Sequence, residues 1–355
     1  MVLERRRGYS LCLSIIFILF SPVHADPFSI GMGIAAVGSG LGIYSVRCKF
    51  YECCQDPYLH PDFKKMEFEL KDLVYGQHIV QATVIPSIRA HLTKAPSKPL
   101  VLSFNGATGS GKNHVARIIA RNLYQKGMES RFVHHIVATA EFPDRSMTQF
   151  YQTELQKRLL SAVSDCGHSL FIFDEVDKIP EDLLDAIKPF LDYYDSVKGV
   201  DFRKCIFIFL SNAAGAEISM ETVKHRTSGQ PRDKLRATEL ERIVSEQAYN
   251  TAGGLKMSEL ISNHLIDHFI PFMPLEKDHV RRCTTYYMEQ RWVGSSKDTE
   301  LVDEVVSSLQ YYPPDDPVFS SSGCKRVQQK ADLALARKRA KYASQKEKER
   351  EHDEI

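Results

Sequence analysis

No Cys-x-x-Cys pair occurs in the 355 residues, which removes zinc ribbons and thioredoxin-like redox motifs from consideration. No Asn-x-Ser/Thr sequon occurs, so N-glycosylation is not expected. An excess of one charge is missing as well. With 46 Lys+Arg against 45 Asp+Glu, the net +1 gives no sign of a nucleic-acid binder. Apolar runs occur only near the N-terminus, which excludes a polytopic membrane protein, and no internal repeat is present. What is there is 43% hydrophobic and 26% charged residues, an ordinary globular composition. The length suits two or three domains.

The N-terminus is the first departure from that ordinary pattern. A basic stretch through Arg7 precedes the apolar run Leu11–Phe20, and Val23-His24-Ala25 offers a cleavage site. This is the layout of a secretory signal over residues 1–25, with an uncleaved anchor as the alternative. A second apolar segment, 26–47, carries no charge from Phe28 to Val46 but has five glycines. A helix of that length spans about 28 Å, yet its glycines suit a segment embedded in one leaflet equally well. Membrane association through this segment is therefore expected. The chain ends His352-Asp353-Glu354-Ile355, one residue from a retrieval signal of the HDEL type. Together these features predict the lumen of the endoplasmic reticulum and the perinuclear space of the nuclear envelope.

Between Asp56 and Lys98 the pattern is helical, with an apolar stripe interrupted by Pro86. Short apolar runs then alternate with helical stretches: Leu100–Phe104, Arg131–Val137, Leu170–Phe173 and Cys205–Leu210. Such alternation predicts an α/β fold with a parallel sheet between helices. After about Pro271 the pattern turns helical. We therefore expect a large α/β domain over 48–270, a small α-helical lid over 271–336 and a charged tail over 337–355. The tail reads as a solvated helix or a disordered tether.

The segment Gly106-Ala-Thr108-Gly109-Ser110-Gly111-Lys112-Asn113 fits a phosphate loop, with Asn113 where Ser or Thr is usual. A buried strand precedes it and a helix with Val115, Ile118, Ile119 and Leu123 on one face follows. Glycines let successive N–H groups face phosphate oxygens, the helix N-terminus adds its dipole, and Lys112 adds a full charge. Asn113 could ligate Mg²⁺ through its amide oxygen or hold a metal-bound water. Asp174 and Glu175 end the Leu170–Phe173 strand: the first suits Mg²⁺, the second a water aimed at the γ-phosphate. Asn212 ends the next strand and can orient that water. Three strand tips carrying phosphate chemistry predict an NTPase.

Leu73–Gln77, GATGSGKN, FDEVDKI and FLSNAAG resemble the Clp-type branch of the AAA+ superfamily. More narrowly, GSGKN, FDEVDKIP, FLSNAAG, IDHFIPFMPLE and Gly323-Cys324-Lys325-Arg326-Val327 resemble the torsin family, over about Cys48 to Leu335. The resemblance implies an AAA+ P-loop NTPase that binds ATP and Mg²⁺. It implies Lys112 as the phosphate lysine, Asp174 and Glu175 as the Walker B pair, Asn212 as sensor 1 and Lys325 as sensor 2. It also implies disulfides Cys48–Cys166 and Cys283–Cys324. Cys205, in an apolar strand, is then a buried free thiol, with Cys53 and Cys54 left open.

Two absences bear on mechanism. Laid on the Asn-Arg-Ile-Asp of Clp-type proteins, His264-Leu265-Ile266-Asp267 places Leu265 at the arginine finger. A missing finger costs about 10³–10⁵ in turnover. The resemblance implies that a membrane-anchored luminal activator supplies the arginine, in a homo- or hetero-oligomer. The other absence is an aromatic-Gly pore loop. Thr139–Met147 offers only Phe142, which reads as ordinary packing, so polypeptide threading is not expected. The expected function is an activator-dependent, chaperone-like remodelling ATPase. The competing reading is a nucleotide-dependent binding module with little hydrolysis.

Overall fold

The computed structural model describes residues 48, 51–250, 253–256, 258–291 and 298–353. The signal, the segment 26–47 and the last two residues of the chain lie outside the described residues. Among the described residues, no helix is long and apolar enough to cross a membrane. The chain divides at Cys53–Cys54, with everything discussed below in the larger unit except the bond between Cys48 and Cys53.

Five parallel strands form the central sheet: β1 (Leu100–Gly106), β2 (Val133–Val137), β3 (Leu170–Asp174), β4 (Ile206–Ser211) and β5 (His268–Phe272). Their order is β2-β3-β4-β1-β5. Strands β1 and β4 are buried along their whole length because helices cover both faces, which is why they read as unbroken apolar runs. Alternation still sorts their side chains. Leu100, Leu102 and Phe104, with Ile206, Ile208 and Leu210, face one core. Val101, Phe207 and Phe209, with Phe171 and Phe173 of β3, face the other. Phe171 stacks on Phe207 at 4.8 Å between ring centroids, and this second face is the more aromatic, the first the more aliphatic.

Helices α1 (Phe63–Leu73), α2 (His78–Thr93) and α3 (Lys112–Leu123) cover the aliphatic face with Met66, Leu70, Val84, Ile88, Val115 and Ile119. Asp62 caps α1 by accepting the Lys65 amide at 2.9 Å. Helix α2 runs through Pro86 without ending there. The aromatic face is covered by α4 (Thr148–Asp165), through Leu155, Leu159 and Val163, and by single helical turns. Helices α5 (Gly215–Thr227) and α6 (Ala237–Asn250) pack with Ile79 and Met273 in a smaller core.

Beyond β5, helices α7 (Lys277–Arg291), α8 (Thr299–Ser307) and α9 (Val327–Asp353) enclose their own core of Val280, Met288, Val302, Val305 and Val327. A two-strand antiparallel ribbon, β6 (Tyr311–Tyr312) and β7 (Phe319–Ser320), joins α8 to α9. The charged tail continues α9 as helix.

Strand β5 was not legible as a strand, because Pro271 lies inside it. It is an edge strand paired only with β1, so the missing proline N–H removes no ladder bond. The expected Cys48–Cys166 bridge is also corrected. Cys166 bonds Cys54, with Cα atoms 5.4 Å apart, and Cys48 bonds the nearby Cys53. Adjacent cysteines thus serve two bonds, one local and one reaching the end of α4. Cys205 is the buried free thiol expected, its Sγ donating to the Gly167 carbonyl at 3.3 Å.

At the other end of β1, Lys98 is buried and pairs with Asp267 at 2.7 Å, and the same carboxylate accepts the Val101 amide. Asp267→Ala would leave that ammonium buried without its counter-charge. We expect a loss of roughly 3 kcal/mol in urea unfolding. A loss below about 1 kcal/mol would show that the carbonyls of Pro99 and Leu265 hold Lys98 on their own.

Candidate functional site

The carboxyl ends of β1, β3 and β4 open on one edge of the sheet, against the lid helices. The cavity between them has a volume of about 530 Å³. Thr108, Gly109, Ser110, Gly111, Lys112, Asn113, Asp174, Glu175, Asn212 and Lys325 all line it. Gly106 sits just behind, where its carbonyl receives the Lys112 ammonium at 2.5 Å.

The loop from Gly106 to Gly111 turns β1 into α3, and Gly111 caps the helix in the left-handed region at φ 111°. Lys112, the first residue of α3, folds back into the loop it follows. Besides Gly106, it donates to the Ala107 carbonyl at 3.1 Å and to Asn212 Oδ1 at 3.1 Å. All three acceptors are neutral. Burial pushes the ammonium down to about 8, against the opposing pull of Asp177 and Asp174, and nearby Lys325 lowers it further. An anion entering the cavity would offset that burial.

Asn212, at the tip of β4, also accepts from the Thr108 hydroxyl at 3.3 Å, and Asp177 accepts its backbone amide at 2.9 Å. Asp174 accepts the Asn113 side-chain amide at 2.7 Å and the Glu175 backbone amide at 2.9 Å. Burial alone would raise its pKa. The nearby His135 ring and the hydrogen bonds from Asn113 and the Glu175 amide outweigh that and hold the carboxylate below its usual range. An ionised carboxylate with a side-chain amide beside it suits Mg²⁺ keeping most of its water, once Asn113, which here turns its Nδ2 to Asp174, presents its oxygen instead. Asn113 and Asp174 are the residues here that could hold it.

Glu175 has φ 58°, a left-handed conformation that costs a non-glycine residue about 1 kcal/mol or more. Its Oε2 accepts the Thr139 hydroxyl at 2.5 Å, which fixes the direction of the carboxylate. Thr139 and His135 were missed in the sequence. Both follow from β2 lying next to β3 in the sheet, since polar residues at one strand tip reach those of its neighbour. His135 Nε2 lies 3.6 Å from Asp174 Oδ2.

On the lid side, Cys324 bonds Cys283 of α7, as the resemblance implies. The Cys324 amide donates to the Gly109 carbonyl at 3.3 Å, so the turn before α9 lies directly on the phosphate loop. Only glycines allow this approach. A Cβ on Gly323 would stand 2.1 Å from the Gly109 oxygen, and one on Gly109 1.9 Å from the Ser322 oxygen. Lys325 follows at the cavity rim. Leu73, Val74, Tyr75, Tyr286 and Tyr287 also line the cavity, apolar and aromatic surface that can receive a planar base. The Arg282 guanidinium covers the Tyr75 ring at 4.3 Å.

Leu265 is 2% exposed and belongs to the aromatic-face core. A Leu265→Arg change would bury a guanidinium there, so it does not provide a clean gain of a finger. Phe142 is buried and meets the Tyr151 ring edge-on at 5.4 Å, which is packing.

Comparison with known proteins gives a consistent picture. The family model described as Torsin matches residues 48–173, and that described as Torsin-1A, C-terminal domain, matches 275–333. The chain is 50% identical to a Torsin-like protein of Caenorhabditis elegans over 84% of its length and 85% of the relative's. It is 37% identical to a Torsin-like protein of Drosophila melanogaster over 93% and 98%. Among solved structures it is similar to the S. cerevisiae Hsp104–ADP complex, with a TM-score of 0.54 and 19% identity over 80% of this chain. A closed-state cryo-EM reconstruction of Hsp104 with ATPγS and FITC-casein gives 0.53, at 18% identity over 75%. The chain spans 48% and 45% of those two chains, and the likeness establishes an AAA+ fold.

The bond between Cys283 and Cys324 closes a loop with a sequence separation of 41, worth roughly 4 kcal/mol by chain-entropy arguments. Its reduction should free the turn that rests on Gly109 and weaken phosphate binding at Lys112. Nucleotide titrations of oxidised and reduced protein check this, with non-reducing peptide mapping to confirm the bond. Equal affinities would show that the glycine contact holds without it.

Proposed function

This chain belongs to the torsin family, and from that premise we propose that it is an AAA+ ATPase that remodels proteins or membranes in the lumen of the endoplasmic reticulum and nuclear envelope. The observation that carries the reading is the convergence of Lys112, Glu175, Asn212 and Lys325 on one cavity that Tyr75, Tyr286 and Tyr287 also line. The Hsp104 structures, one with ADP and one with ATPγS, support a nucleotide in that cavity.

Lys112 neutralises the β and γ phosphates, while the N–H groups of the Gly106–Gly111 loop donate hydrogen bonds to their oxygens. Asn113 and Asp174 would hold Mg²⁺, which would supply positive charge against the phosphates. Glu175, set by Thr139, polarises the attacking water, and Asn212 orients it. Lys325 approaches the γ-phosphate from the lid, with Cys283–Cys324 and Gly323 fixing its path. The charge that develops in the transition state still lacks an arginine. With Leu265 packed in the core, that arginine comes from another chain, a membrane-anchored luminal activator. The N-terminal segment 26–47 supplies membrane association.

The buried Leu265 also favours one second reading, a nucleotide-dependent binding module in which hydrolysis only resets a partner-binding shape. Phosphate release separates the two. Turnover of the purified chain should be low and independent of its own concentration. A luminal partner domain presenting an arginine should raise it by about 10³-fold or more. Brisk, concentration-dependent hydrolysis by the chain alone would overturn the activator reading, and no response to any arginine-bearing partner would favour the binding module.

A further inference from the structure

The stretch Met273–Glu276 is the direct chain link from β5 to the first lid helix. Several bonds converge on it from the segment Leu73–Gln77, whose first three residues line the cavity and which we take as the base side. Gln77 is fully buried: Oε1 accepts the Met273 amide at 3.0 Å, and Nε2 donates to the Met273 carbonyl at 2.8 Å and to the Ser110 carbonyl at 3.1 Å. The Gly76 carbonyl is held from another direction. Arg232, in the turn between α5 and α6, donates to it through Nε at 3.0 Å and Nη2 at 2.9 Å.

The same guanidinium reaches the link. Nη2 also donates to the Pro274 carbonyl at 2.8 Å, and Nη1 pairs with Glu276 at 3.2 Å. The Arg232 side chain is 16% exposed and does not line the cavity. On the lid side, His279 of α7 fills the space where a Cβ of Gly76 would stand, its Cε1 2.6 Å away. Its Nδ1 accepts the Glu276 amide at 3.1 Å. Arg282, one turn further along α7, covers Tyr75. The base-side segment is therefore fastened to the lid's root by a planar fork that bonds both at once. A lysine, a point charge on a flexible stem, could not span both carbonyls and the carboxylate.

We propose that Arg232 is a positioning residue that transmits the state of the base-side segment Leu73–Gln77 to the lid, and so sets whether Lys325 reaches the γ-phosphate. The inference rests on the nucleotide-site reading above and adds a residue that touches neither nucleotide nor water. Tyr75 is displaced or held according to what fills the base end. Gly76 follows it, and Arg232 carries the change to Pro274 and Glu276, where the lid begins. Without the fork the lid loses one of its fixed points, and Lys325 samples positions away from the phosphate.

The test measures ATP and ADP affinities by calorimetry for the full chain in four forms: parent, Lys325→Ala, Arg232→Met and the double variant. In the parent, ATP should bind more tightly than ADP, and Lys325→Ala should remove the difference. In Arg232→Met the preference should already be lost, with Lys325→Ala adding nothing. We expect the coupling between the two positions to be about fivefold or more. Arg232→Lys should keep only part of the preference, and it replaces the methionine variant should that fail to fold. A residue that merely supported the fold would lower the unfolding midpoint while leaving the Lys325-dependent preference intact. That result would overturn the proposal, as would a parent with no such preference. A parent that binds neither nucleotide would overturn the nucleotide-site reading and this inference together, whereas binding with an unaltered preference in Arg232→Met defeats this inference alone.

Discussion

A buried ammonium surrounded by neutral oxygens is the constraint around which this molecule is organised. Lys112 gives its protons to the carbonyls of Gly106 and Ala107 and to the amide of Asn212, so the phosphate loop and the tip of β4 share one cation. Burial already lowers its pKa to about 8. A multivalent anion reverses that cost, and the rest of the edge is arranged for one. The β1–α3 turn points amides toward it, Asp174 stays ionised nearby, and the carboxylate of Glu175, whose backbone is strained, is aimed by Thr139. The parallel sheet makes this possible by bringing the carboxyl ends of β1, β3 and β4 to one edge.

The lid completes the site through backbone contact. The Cys324 amide meets the Gly109 carbonyl where two glycine positions leave no room for a side chain. Gly323 thus does more than allow a turn, since its missing Cβ sets how near Lys325 can come to the phosphate loop. The Cys283–Cys324 bond then fastens that turn to α7, and α7 carries Arg282 and His279 to the base end. Both ends of the cavity are therefore tied to one lid helix. Movement of that helix changes what Lys325 and Tyr75 can touch.

Much of this was readable from residue order, and the failures have physical causes. Strands β1, β3 and β4 were legible because burial on both faces makes them continuous apolar runs, and their polar tips stood out against them. Strand β5 was hidden by Pro271, which an edge position tolerates. Pro86 interrupts the apolar stripe, and α2 runs through it as helix. The pairing of Cys166 with Cys48 came from the resemblance alone; in the structure Cys48 is taken up by the nearby Cys53, and Cys54 reaches the end of α4. Thr139, His135 and Arg232 carry no local signature. Each acquires its role from an element distant in sequence, as with Arg232 and Gly76.

Nucleotide-dependent stabilisation tests most directly whether Lys112 is the charge on which the site depends. Thermal unfolding midpoints would be followed while ATP and magnesium are added to the parent, Lys112→Ala and Glu175→Gln. A ligand at 100 times its dissociation constant stabilises the folded state by about 2.7 kcal/mol, which gives a readily measured shift. The account predicts this shift in the parent and in Glu175→Gln, whose carboxylate acts on water, and none in Lys112→Ala. An equal shift in Lys112→Ala, or none in the parent, would contradict it.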